Sequence, residues 1–213
     1  MRIPPREALR RLAFFSLFLA GTYGYLFTNR LNDARGLVPV VVDTPLDALI
    51  PLTPVFVIPY VLWSLYVAGA CVVLFLDPSD RFYRFVLSVF IGMAIATAVF
   101  YFFPTYMQRP WPTEKGFLYD VLRWIYSIDR PFNSLPSTHV LYSVLVFWNL
   151  YRWKPRARAF QAASLVFCLL VCASTVLVKQ HNTPDIPAGL VLALAVALPL
   201  EIPKEGFPWR KSK

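Results

Sequence analysis

Six stretches of this sequence are apolar for long enough to enter a lipid bilayer, and nothing else in the chain constrains its fold as strongly. A hydrocarbon core takes about 20 residues of helix, within a range of about 17 to 25. On that ruler the stretches fall near residues 12–28, 52–76, 85–103, 137–151, 159–178 and 184–202. Inside hydrocarbon each backbone N–H and C=O must be paired within the protein, which favours helices. Composition agrees, because 57% hydrophobic residues and a mean hydropathy of +0.53 exceed what a soluble domain of this size carries. The expectation is an all-α, polytopic membrane protein, a six-transmembrane-helix bundle that forms one integral membrane domain over residues 1–213.

The formal net charge of +9 raises nucleic acid as a partner, but the basic residues lie between apolar runs rather than among exposed aromatics. They read as topology signals, and the partners expected are the bilayer and a lipid, not nucleic acid. With six spans, 14 of the 21 Lys and Arg fall on one side, including Arg2, Arg6, Arg10, Arg11, Arg81, Arg84, Arg152 and Arg158. The acidic residues divide as five and seven, so one face carries +9 and the other is neutral. The positive-inside rule then places both termini in the cytoplasm, and the first, third and fifth connections outside a plasma or inner membrane. The basic amino terminus resembles a signal peptide but lacks a cleavage site and reads as a retained anchor. Cys71, Cys168 and Cys172 lie within apolar runs, with no His or acid at metal-ligand spacing. No metal and no cofactor are expected.

The only two histidines, His139 and His181, each stand at the mouth of an apolar run. An ionisable side chain in hydrocarbon is costly, so its default reading is functional. Span parity brings both to the outer face, each near a helix amino terminus whose N–H groups favour an anion. Thr183 reads as the N-cap of the last helix, with Pro184 as its first residue. Arg109-Pro110 follows the third span on the same face, and Asp185 lies four residues after His181. A fixed guanidinium, two imidazoles and a carboxylate fit a phosphate. Blander roles compete: a structural hydrogen bond for either histidine, a helix cap for Asp185, and turn formation or head-group recognition for Asp129 and Asn133.

Arg109-Pro110, then Pro136-Ser137-Thr138-His139, then Ser174 with His181 and Asp185 resemble the three motifs of the type 2 phosphatidic acid phosphatase superfamily. Their order and topological positions match over about residues 45–200. The wording of the second and third motifs is most similar to the branch that holds inositol phosphorylceramide synthases and their bacterial relatives. The resemblance implies that His181 attacks phosphorus, Asp185 orients it, and His139 serves as acid and base. It implies that Arg109, Lys179, Ser137 and Thr138 hold the phosphate oxygens. Two positions depart from the pattern: Phe102 stands for Lys, and Thr175 for Arg. Lys179 is the candidate replacement, and Arg130-Pro131, with Arg123 seven residues earlier, is a rival to Arg109-Pro110. The fewer cations favour a phosphodiester substrate. The expected function is a lipid phosphatase or phosphotransferase working through a phosphohistidine on the non-cytoplasmic face. The alternative is a degenerate member that binds or moves anionic lipid.

Overall fold

The structure is a computed structural model that describes residues 3–36, 38, 40–152 and 158–201. Helix α1 (Pro5–Ala34) opens with proline in its first turn, where no N–H bond is lost, and with Glu7 complementing the helix dipole. At its 30 residues it reaches about 45 Å. It therefore outruns the stretch expected at 12–28 and carries polar residues past the apolar layer. A two-residue strand β1 (Val40–Val41) and the short helix α2 (Pro45–Leu49) follow. A 3-10 turn (Pro54–Phe56) leads into α3 (Val57–Leu76), and α4 (Arg81–Phe102) runs back. Strand β2 (Thr105–Tyr106) pairs in parallel with β1. Helices α5 (Phe117–Ile128), α6 (Thr138–Arg152), α7 (Arg158–Leu177) and α8 (Asp185–Glu201) complete the described chain.

Three helical segments, Pro54–Leu76, Arg81–Phe102 and Arg158–Leu177, are long and apolar enough to cross a membrane. Helices α6 and α8 have 15 and 17 residues, and α1 intersperses Arg, Asn and Asp with its apolar positions. Of the six stretches, three thus reach the full dimension of a span by themselves. Helices α1, α3, α4, α6 and α8 supply one core, and α7 packs beside it against α6 and α3. Helix α1 lies along α4, and α6 is enclosed by α4, α7 and α8. Phe82, Phe85, Val89, Met93, Leu141 and Leu145 fill the centre with almost no exposure. Leu65, Val72, Val166, Leu169, Val191 and Leu198 point outward. Large apolar side chains on the outer surface of α3, α7 and α8, the first two of them candidate spans, are what a hydrocarbon solvent accepts.

At one end of the bundle, buried Arg11 donates to the carbonyls of Phe75 (2.6 Å), Asp77 (2.5 Å) and Ser79 (3.1 Å), and to Glu7 (3.0 Å). It satisfies the orphan carbonyls where α3 ends. Near it Arg81 pairs with Glu201, which also accepts from Trp148 (3.1 Å). Helix α5 lies inside the long connection 104–136, between the third and fourth apolar stretches. Its apolar residues recur with helical period: Leu118, Val121, Leu122 and Ile125 face Val57, Tyr60 and Val178, while Phe117, Trp124 and Ile128 are exposed.

Candidate active site

Helix α7 ends by placing Lys179 in the left-handed region, at φ +53°. The Gln180 N–H reaches back to the Thr175 carbonyl (2.9 Å) and the Lys179 N–H to Val176 (3.2 Å). This is a Schellman closure with lysine where glycine is usual. The turn brings the His181 N–H onto the same Thr175 carbonyl at 3.0 Å. His181 is then buried, and its Nδ1 lies 2.9 Å from the Ser134 carbonyl and 3.1 Å from Asp185 Oδ2. A carbonyl oxygen only accepts, so Nδ1 carries the proton and Nε2 of the neutral ring keeps its lone pair. Asp185 is fully buried and holds its own place, because Oδ2 also accepts the Asn182 N–H at 2.9 Å. Its role extends beyond capping: one oxygen organises both the loop and the imidazole.

The second histidine arrives on the first turn of α6. The Ser137 N–H donates to the Asp185 carbonyl at 3.1 Å, joining the starts of α6 and α8. Ser137 and Thr138 are buried at this junction, and the Ser137 hydroxyl accepts the Val140 N–H at 3.4 Å as a helix cap. Gly189 lets the helices meet, since a Cβ there would lie 2.6 Å from the Ser137 carbonyl oxygen. The His139 ring rests against Tyr60 (centroids 4.6 Å apart) and Trp63 (4.4 Å), and 5.7 Å from the His181 ring. Among the described residues its Nδ1 has no hydrogen-bond partner. His139 and Thr138 open onto a mostly apolar cavity of about 350 Å³ walled by Tyr25, Tyr60, Trp63 and Trp124.

Arg109 lies beyond β2 and is held from two sides. It donates to the Asp129 carbonyl (2.6 Å) and carboxylate (3.3 Å), and its guanidinium stands 5.4 Å from the Tyr126 ring centroid. Arg109, Lys179 and Asn182 line a more polar cavity of about 440 Å³ together with Asp43, Thr44 and Asp47. The Lys179 ammonium donates to the carbonyls of Asp47 (2.9 Å) and Ile50 (2.6 Å), using two of its three protons. Asp47 in turn accepts from Thr183 N (2.7 Å), Thr183 Oγ1 (2.9 Å), Thr44 N (2.8 Å) and Thr44 Oγ1 (2.9 Å). Burial alone would raise the Asp47 carboxyl, but these hydrogen bonds outweigh it and hold the group below its ordinary value.

Ser137, Thr138, His139, His181 and Asp185 thus meet where α6 and α8 begin, whereas Arg109 and Lys179 line a different cavity from the one onto which His139 opens, and neighbouring expectations change. Thr183 does not cap α8, since its hydroxyl is engaged by Asp47 and the helix begins at Asp185, after Pro184. Arg130 points away, 58% exposed and paired with Asp33, so the rival Arg-Pro lies outside this constellation. Phe102 is exposed, and Thr175 supports the His181 turn through its carbonyl. Ser174 bonds within its own helix, to the Val171 carbonyl. Asn133 is a buried turn residue at φ +64°, bonded to Thr28 (3.0 Å) and Asn32 (3.0 Å) of α1. Asp129 also accepts from Tyr25 of α1 at 3.0 Å. Both are scaffold for the loop that carries Arg109's partner. Tyr60, Trp63 and Asp47 went unnoticed in the sequence. The i, i+3 aromatics on α3 and the Thr44-Pro45-x-Asp47 helix start were the available signals.

Compared with known proteins, the sequence matches the PAP2 superfamily over residues 85–201, more than half of its length. Neither a curated protein nor a solved structure matches it. The matched segment contains Arg109, Ser137, Thr138, His139, Lys179, His181 and Asp185 within one continuous stretch, and the chain belongs to the PAP2 superfamily.

Proposed function

We propose that this protein is an integral membrane lipid phosphatase or lipid phosphotransferase acting through a phosphohistidine on the non-cytoplasmic face. Superfamily members are phosphatases and phosphotransferases that act on phosphorylated lipids, and the apolar outer surface suits a lipid-embedded enzyme. In this reading all six long helices cross the bilayer and both termini lie in the cytoplasm. The observation that carries the proposal is the setting of His181: Nδ1 faces two acceptors, so in the neutral tautomer the lone pair sits on Nε2, the nitrogen available for attack.

Nε2 of His181 forms a bond to phosphorus as the bond from phosphorus to the lipid oxygen breaks. Asp185 stabilises the imidazolium that develops. His139 gives its proton to the departing alkoxide, and the freed lipid alcohol lies in the apolar cavity onto which His139 opens. In the second half His139 takes a proton from water or an alcohol, whose oxygen attacks phosphorus and expels His181. Arg109, the remaining Lys179 proton and donors around Ser137 and Thr138 hold the other phosphate oxygens. With Phe102 and Thr175 in place of two family cations, a diester of lower charge is the favoured substrate.

A second reading is a degenerate member that binds or moves anionic lipid, favoured by those same replacements and by the engagement of Lys179 with two carbonyls. Incubation with a lipid radiolabelled at phosphorus, followed by an acid quench, separates the two. The enzyme reading expects an acid-labile phosphoryl label on the wild type and none on His181→Ala, with turnover lost. Intact phosphate release or transfer by His181→Ala refutes it.

A further inference from the structure

The loop that carries His181 is gripped from outside by a segment that precedes the superfamily match. Asp47 belongs to α2, whereas that match begins at residue 85. Its two carboxylate oxygens take the backbone N–H and hydroxyl of Thr183, two residues after His181 and two before Asp185. The grip is reciprocal: Lys179, two residues before His181, reaches back to the carbonyls of Asp47 and Ile50. The Thr44 and Thr183 hydroxyls close the set at 2.8 Å. Thus both ends of the five-residue turn 179–183 are tied to α2, while its middle is tied inward to Thr175, Ser134 and Asp185.

Lysine at a left-handed position is less comfortable than glycine, and such outliers persist where surrounding contacts over-determine them. Here the contact is visible, since this backbone sends the ammonium to the carbonyls at the end of α2. We propose that Asp47 is a positioning residue for the nucleophile. With Lys179 it forms a clamp that fixes where His181 Nε2 points, and the clamp comes from outside the matched region. This inference rests on His181 being the nucleophile. Asp47 touches neither His181 nor His139, and all of its effect passes through Thr183 and the turn.

The test uses the full chain in detergent with Asp47→Asn, Thr183→Val, their double variant and Thr183→Ser. A misplacement of about 1 Å costs on the order of 10²-fold in rate. Asp47→Asn and Thr183→Val are therefore each expected to slow phosphoenzyme formation by about 10- to 100-fold with KM within twofold. The double variant should be no slower than the worse single one, and Thr183→Ser, which keeps the hydroxyl, should recover most of the rate. Hydrogen exchange of the 179–185 backbone should rise in Asp47→Asn. Wild-type rates in Asp47→Asn, fully additive losses, or a loss carried entirely by KM overturn the clamp while leaving the phosphohistidine reading intact. If the wild type forms no phosphoenzyme, that reading fails and the positioning role for catalysis is overturned with it. Unchanged loop exchange in Asp47→Asn overturns the clamp independently of activity.

Discussion

Gly189→Ala puts one methyl group at the tightest point of the site. The new Cβ would lie 2.6 Å from the Ser137 carbonyl oxygen and 3.0 Å from Val140 Cβ, against an ordinary contact beginning at 3.4 Å. The Ser137 contact is with backbone, so no side-chain rotation relieves it, and α6 and α8 must separate by roughly 0.8 Å at that point. Overpacking of this kind costs about 1–3 kcal/mol. The displacement also falls close to both histidines in the chain, because Ser137 precedes His139 by two residues and Gly189 shares a helix with Asp185, the partner of His181. A shift near 1 Å in a reacting pair costs on the order of 10²-fold in rate. Turnover of a lipid phosphate should fall by more than the stability loss alone explains. Gly69→Ala is the matched control: its Cβ meets nothing within 4 Å, and it should gain about 1 kcal/mol or less from helix propensity with rate unchanged. The measurements are thermal unfolding in detergent and steady-state turnover of both variants. Gly189→Ala with wild-type melting temperature and wild-type turnover would refute the reasoning.

Two further outcomes are expected. Arg109→Ala should raise KM for the phosphorylated substrate by at least tenfold, the scale of a lost charge-assisted bond, whereas Arg130→Ala, an exposed ion pair, should leave turnover within twofold; the opposite ranking would restore the second Arg-Pro. The Asp47 carboxyl is held below its ordinary value of 3.8 in the folded protein, so its hydrogen bonds contribute fully above that pH and are lost as pH falls through the lower folded value. The melting-temperature gap between wild type and Asp47→Asn should accordingly be constant above about pH 5 and close below pH 3.8; a gap that widens on acidification contradicts the assignment.

Local periodicity and order determined a great deal. Apolar runs of span length gave the helices, and the expected fourth stretch, at 137–151, meets α6 within one residue at each end. The i, i+4 spacing of His181 and Asp185 already implied that the two could touch across a turn, and the observed separation is 3.1 Å. Arg109 and His139 stood out as candidates because their motifs stand in matching topological places. Polar contacts made by residues far apart in sequence were not legible. Asp47 meets Thr183 across 136 residues, Asn32 meets Asn133 across 101, and Tyr25 meets Asp129 across 104. Neither pattern nor propensity records such pairs, since each partner alone reads as an ordinary turn or helix residue. Helix α5 was hidden for a related reason: its 12 residues are too short for the ruler used on spans, and its apolar face has a partner only once α3 and α7 are in place. The sequence by itself thus determined which side chains are candidates for the chemistry, because ionisable groups are few in an apolar chain. Only the tertiary structure decided which imidazole nitrogen faces the two acceptors, which arginine lines the polar cavity and what holds the His181 turn, because each depends on partners supplied by a distant segment.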